Sequence, residues 1–149
     1  MSRISIFILL FTIGASYCSA QNLTVYRSKV SVQTTTDKLV EIIEKKNLIF
    51  FETVSHHAIA SERGMDIDST NVVLFEDPVL TSQLIGCSQT AALDLPMKIM
   101  VFEEHGDIYI GYVDPQLMRR RFLINGCHET LNQMTSLMVR VVNETLRSK

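Results

Sequence analysis

The 149-residue sequence contains none of the short signatures that mark the common chemistries. It has no GxSxG, no phosphate-cradling P-loop, no GxGxxG and no HExxH. These absences remove the α/β-hydrolase nucleophile, the nucleotide-phosphate loop, the dinucleotide fold and the zinc-protease helix as readings. Cysteine is scarce, with three residues and no CxxC spacing, which excludes a thioredoxin-like redox pair or a zinc ribbon. No basic stripe runs along the chain, and 14 basic residues against 16 acidic ones argue against nucleic acid as the main partner. There is no internal repeat, low-complexity stretch or linker, and no second long apolar run after the first few residues.

That first run is informative. Met1-Ser2-Arg3 is a short basic start, and Ile4 to Ile13 is uncharged and almost wholly apolar. Its length suits the h-region of a signal peptide and falls short of the roughly 20 residues that cross a bilayer. Cys18-Ser19-Ala20 then offers small residues at −3 and −1, so cleavage is expected before Gln21. A buried N-terminal element is the alternative. Lipid attachment at Cys18 is disfavoured by Ala15 and Tyr17 at the positions where lipoprotein processing wants Leu and a small residue. Loss of residues 1–20 removes one charge, Arg3, leaving 13 basic and 16 acidic residues, a net of −3. The mature chain is then expected to be secreted or periplasmic, with no membrane span and a length that can bury a single core. It keeps Cys87 and Cys127, which export permits to form a disulfide; two buried free thiols are the other reading.

Alternating Leu23, Val25, Val30 and Val32 predict a half-buried strand. Thr34 to Asp37 offer N-caps for a helix carrying Leu39, Val40 and Ile43, with Asn47 as its left-handed stop. Leu48–Val54 reads as a strand, and His56–Arg63 as a short helix ended by Gly64. Val72–Phe75 reads as a strand buried on both faces, and Asp77-Pro78 as the start of a helix reaching about Ile85. Leu95–Glu103 and Ile108–Val113 form a hairpin, and Asp114-Pro115 opens another short helix. Leu131, Met134, Met138, Val141 and Val142 make one apolar stripe on a helix from about 127 to 147. The expected fold is α+β: a two-layer sandwich of a mixed or antiparallel sheet with helices on one face.

Three features carry candidate chemistry. Asp66-x-Asp68-x-Thr70 resembles the opening of a calcium loop, but Asn71 replaces the glycine needed at its sixth position, so a solvated turn is the better reading. Glu103-Glu104-His105-Gly106-Asp107 gathers carboxylates and an imidazole, as a polar hairpin tip also would. His56-His57 follows an apolar strand and enters a helix, a junction that often faces a ligand crevice. A histidine there binds a metal or haem iron, or else simply bonds to backbone.

From the first helix to Phe122 the chain resembles the bacterial and archaeal domain of unknown function numbered 302. The resemblance rests on His57-Ala58, Ala60, Gly64, Val73-Leu74-Phe75, Pro78, Ala92-Leu93-Asp94-Leu95-Pro96 and Tyr112-x-Asp114-Pro115, in order and at matching spacing. Ala-Leu-Asp-Leu-Pro is its most specific element. The family's Gly-Asn becomes Glu76-Asp77 here, and its glycine-threonine turn becomes Thr81-Ser82, which adds negative charge to that loop. The resemblance implies a compact two-layer fold, often dimeric, and no accepted activity; the C-terminal helix reads as an addition to it.

Two functions follow as expectations. The first is a non-catalytic module of the cell envelope that binds a small apolar ligand, a haem-like cofactor or a partner protein. His57, Asp94 and Tyr112 are its candidate binding residues, and its six mature methionines suit adaptable apolar surfaces. The second is a small hydrolase or isomerase in which Asp94 or Asp114 orients His57 as a general base. Secreted material should begin at Gln21; intact-mass measurement checks this, and a full-length chain or a lipidated Cys18 terminus would overturn it.

Overall fold

The computed structural model describes residues 22–148; the signal-peptide expectation lies outside them. Five strands form a single sheet in the order β1-β5-β4-β3-β2, with every neighbouring pair antiparallel. They are β1 (Leu23–Ser28), β2 (Ile49–Ser55), β3 (Thr70–Glu76), β4 (Met97–Glu104) and β5 (Asp107–Val113). The helices are α1 (Val32–Lys45), α2 (His56–Ser61), α3 (Pro78–Cys87), α4 (Leu117–Arg121) and α5 (His128–Arg147), with a 3₁₀ turn over Gln89–Asp94. The α+β class therefore holds, and the sheet is antiparallel throughout.

Side chains alternate across a strand, so one face of the sheet can be apolar and dry while the other meets water. Val73 and Phe75 on β3, Ile99 and Val101 on β4, and Ile110 on β5 are fully buried. Against them α1 contributes Leu39 and Ile43, and α5 contributes Leu131, Met134, Met138, Val141 and Val142. The opposite face carries Val25, Gly111, Met100, Val72 and Val54 in one row across all five strands. Val25 in that row is 40% exposed.

Four expectations are corrected. The first strand stops at Ser28, and Val32 is already helical. Ser31, not a residue of Thr34–Asp37, caps α1 by accepting the Thr34 N–H at 3.1 Å. The corner is fixed by a buried Ser28–Thr35 hydroxyl pair at 2.8 Å, and Thr36 donates to the Val32 carbonyl. Threonines that looked like caps are thus satisfied inside the first turns, where back-bonding to i−4 is available. Val72 and Leu74 are half-buried, so β3 is dry on one face only, because the helices cover just that face. Finally, Leu95 and Pro96 precede β4 instead of opening it, and Asp94 ends a 3₁₀ turn.

Other punctuation behaves as read. Asn47 sits at φ 56° and Gly64 at φ 72°, each stopping a helix. Asp77 caps α3 through the Val79 and Leu80 N–H groups, with Pro78 in the first turn. His105 and Gly106, both with positive φ, make the two-residue turn of the β4–β5 hairpin. Cys87 and Cys127 are paired, with Cα atoms 6.4 Å apart, and join the end of α3 to the N-cap of α5. In the chain-entropy model, closing such a loop contributes about 4 kcal/mol.

Candidate functional site

His57 occupies the junction the sequence assigned to it, since β2 ends at Ser55 and α2 begins at His56. Its Nδ1 lies 2.7 Å from the Ile67 carbonyl. A carbonyl only accepts, so the imidazole donates from Nδ1 and holds the exposed α2–β3 connection against α2.

Asp94 and Asp114 stand at the other end of the sheet. Ser55 is level with Asn71, whereas Met97, which follows Asp94, is level with Phe75. Asn71 to Phe75 is about 13 Å of strand, and Asp94 lies beyond it. The expected pairing of His57 with Asp94 or Asp114 is therefore not made: the strand that delivers the histidine and the turn that delivers the aspartate end on opposite rims.

Tyr112 is a core residue, 4% exposed. It faces inward with Tyr26 and Thr24, and its hydroxyl is pushed up to about 12, first by burial and then by Tyr26. The structure thus separates the three predicted binding residues, and Asp94 alone reaches a cavity.

That cavity is a groove of about 600 Å³ at the sheet end where β4 begins and β5 finishes. Met97, Val113, Leu117, Met118 and Met138 give it an apolar lining, and Lys98, Arg120, Arg121, Asp94 and Asp114 are its charged residues. Asp94 is engaged by Arg121 at 3.2 Å. Asp114 Oδ1 accepts from the Gln116 N–H at 3.0 Å and from the Thr135 hydroxyl at 2.7 Å, tying the α4 entrance to α5. Lys98 Nζ donates to the carbonyls of Asp94 and Pro96, each at 2.8 Å. Burial holds that ammonium below the ordinary lysine value, with Asp94 acting in the opposite sense. Arg120 has no carboxylate within ion-pair distance among the described residues. Both carboxylates are neutralised or bonded internally, so the groove presents an apolar floor with a net cationic rim.

Sequence reasoning missed Lys98, Met118, Arg120 and Arg121. A signal was present: Leu117-Met118 followed by Arg119-Arg120-Arg121 straight after Tyr-x-Asp-Pro. No group of three or more His, Cys, Asp or Glu side chains among the described residues could hold a metal ion. The hairpin tip instead uses Asp107 to pair with Arg27.

The Tyr112 shift has a stability consequence. A phenol near 10 when unfolded and near 12 when folded favours the native state fully below pH 10 and loses that contribution as pH rises toward 12. Urea denaturation should show wild type losing about 1 kcal/mol more than Tyr112→Phe between pH 9 and 11. Parallel losses in the two proteins would contradict this.

The comparisons with known proteins agree with the fold. A crystal structure of an uncharacterised conserved protein, DUF302, from Bacillus stearothermophilus superposes with a TM-score of 0.77 at 15% identity, covering 85% of this chain and 99% of that one. At that identity the likeness is one of fold. Two curated relatives, each 26% identical over 100 residues, are named Fluoride-specific ion channel FluC 1, from Brucella suis biovar 1 and Brucella abortus biovar 1. The match takes in 66% of this chain but only 39% and 37% of theirs. The model of the family described as Domain of unknown function DUF302 matches residues 24–144, which includes most of α5. That helix is therefore within the family's extent and not an addition to it. The chain belongs to the DUF302 family.

Proposed function

We propose that this chain is an exported, non-catalytic binding module of the cell envelope, and that it holds a small amphipathic anion in the groove between the sheet end and α4. The observation that carries the reading is the groove itself. Its volume falls within the range of small-molecule sites, and such sites pair an apolar lining with a few placed polar groups. Lys98 and Arg120 supply cationic donors above the methionine floor. Methionine is unbranched and polarisable, so this lining accepts alkyl chains of varied shape.

The envelope setting is supported by the signal-like leader and by the Cys87–Cys127 pair, which an oxidising compartment favours. No helix among the described residues is long and apolar enough to cross a membrane. The chain spans less than two fifths of the ion-channel-named relatives it matches, so the shared segment reads as a module accompanying a channel. A metal at His57 would find no group of three or more His, Cys, Asp or Glu side chains among the described residues to complete its coordination. If the module pairs with a second copy, as the family resemblance implied, the in-register apolar row on the sheet's open face is the surface to use.

Calorimetry with dodecanoate below its micellar concentration tests the groove. Wild type should bind it, and Arg120→Gln should weaken binding by about tenfold, the loss of one charge-assisted contact. Met118→Trp, which fills the groove, should abolish it. Equal affinity for dodecyltrimethylammonium, or no binding of dodecanoate, would overturn the proposal.

A further inference from the structure

Leu93 and Leu123 are 80% and 81% exposed, the highest values for any large apolar side chain among the described residues. Single exposed leucines are ordinary. These two stand on segments that the Asp94–Arg121 ion pair brings together, one at the end of the 3₁₀ turn and one just after α4. Between them in sequence lie three consecutive arginines, Arg119, Arg120 and Arg121, all exposed.

The backbone adds a second observation. Leu123 has φ 50°, in the left-handed region where asparagine or glycine fits with less strain than leucine. The sequence thus keeps a leucine where both its exposure and its backbone are unfavourable. The turn that presents it is held firmly. Ile124, the next residue, is 2% exposed and donates its N–H to the Arg119 carbonyl. Cys127 then ties the end of the turn to α3. A rigid loop aims an apolar side chain into water beside a cationic helix.

From this geometry we infer that the Leu93–Leu123 patch docks the protein onto an anionic lipid bilayer. Two leucines enter the headgroup–acyl boundary while Arg119 and Arg120 meet lipid phosphates. Surface-binding segments combine apolar residues with basic ones in just this way, and the cationic residues gain from the negative surface potential. Charge complementarity selects the occupant. Arg121 is engaged by Asp94, but Arg119 and Arg120 face no carboxylate partner among the described residues. Neither leucine lines the groove, whereas Arg120 stands on both the groove rim and the patch, so the leucines and Arg119 are the residues that separate the two readings.

Vesicle flotation of the mature chain tests it. Vesicles of phosphatidylcholine with about 30 mol % phosphatidylglycerol should carry wild type upward at about 0.1 M salt, and far less at about 1 M. Phosphatidylcholine vesicles alone should carry little. Leu93→Ser with Leu123→Asn should reduce flotation by about tenfold or more, and Arg119→Gln by a smaller factor. Asparagine suits the left-handed backbone at 123, so the double variant is expected to melt as wild type does and to keep dodecanoate binding. Wild type left unbound on the anionic vesicles would overturn the inference and assign the patch to a protein partner. Undiminished flotation of the double variant, or equal flotation on neutral vesicles, would overturn it too.

Discussion

The rest of the structure depends on keeping one face of one sheet dry. Three of the five antiparallel strands, β3, β4 and β5, present Val73, Phe75, Ile99, Val101 and Ile110 to the same side, and α1 and α5 cover them. The apolar stripe of α5 interlocks with Leu39 and Ile43 of α1. Lys46 and Glu144 join the two helices at 2.6 Å, a surface pair that adds little beside the burial. The disulfide holds α5 at its start, and Thr135 holds α4 to it through Asp114.

Because two helices run over the middle of the sheet, its rims are closed by shorter pieces. At the rim beyond Ser55 the closure is α2, stapled by His57 to the Ile67 carbonyl. At the opposite rim it is the 3₁₀ turn and α4, which meet through Asp94 and Arg121 and leave the groove between them and β4. The histidine motif and the aspartate motif of the sequence therefore serve as two rim closures. The second encloses the groove. Met138 belongs to both the core and the groove, so the residue that floors the candidate site also holds the helix down.

Much of the fold was legible because its signals are local. Asn47, Gly64, Asp77-Pro78 and His105-Gly106 each mark a turn through backbone preference, and the α5 stripe has an unbroken helical period. Where the signal depended on context, reading was less secure. Val30 and Val32 kept the strand's period by coincidence while the chain had already turned at Ser28. Val72–Phe75 looked dry on both sides because an apolar run does not state which face is covered. The candidate site was less legible than the fold. Asp94 was found by motif, but its partner Arg121 lies 27 positions away, and only topology shows that β2 and β4 deliver His57 and Asp94 to opposite rims. Tyr112 looked like a site residue because it sits in a motif; strand alternation turns it into the core.

In this fold α5 is a structural cover of the sheet, shared by core and groove. Urea denaturation of Met138→Ala, followed by far-ultraviolet circular dichroism, tests it most directly. Truncating a methionine that is 1% exposed should lower stability by about 2–5 kcal/mol in a single cooperative transition. A midpoint equal to that of wild type, or a separate early loss of helix with the sheet intact, would show instead that α5 is an appendage.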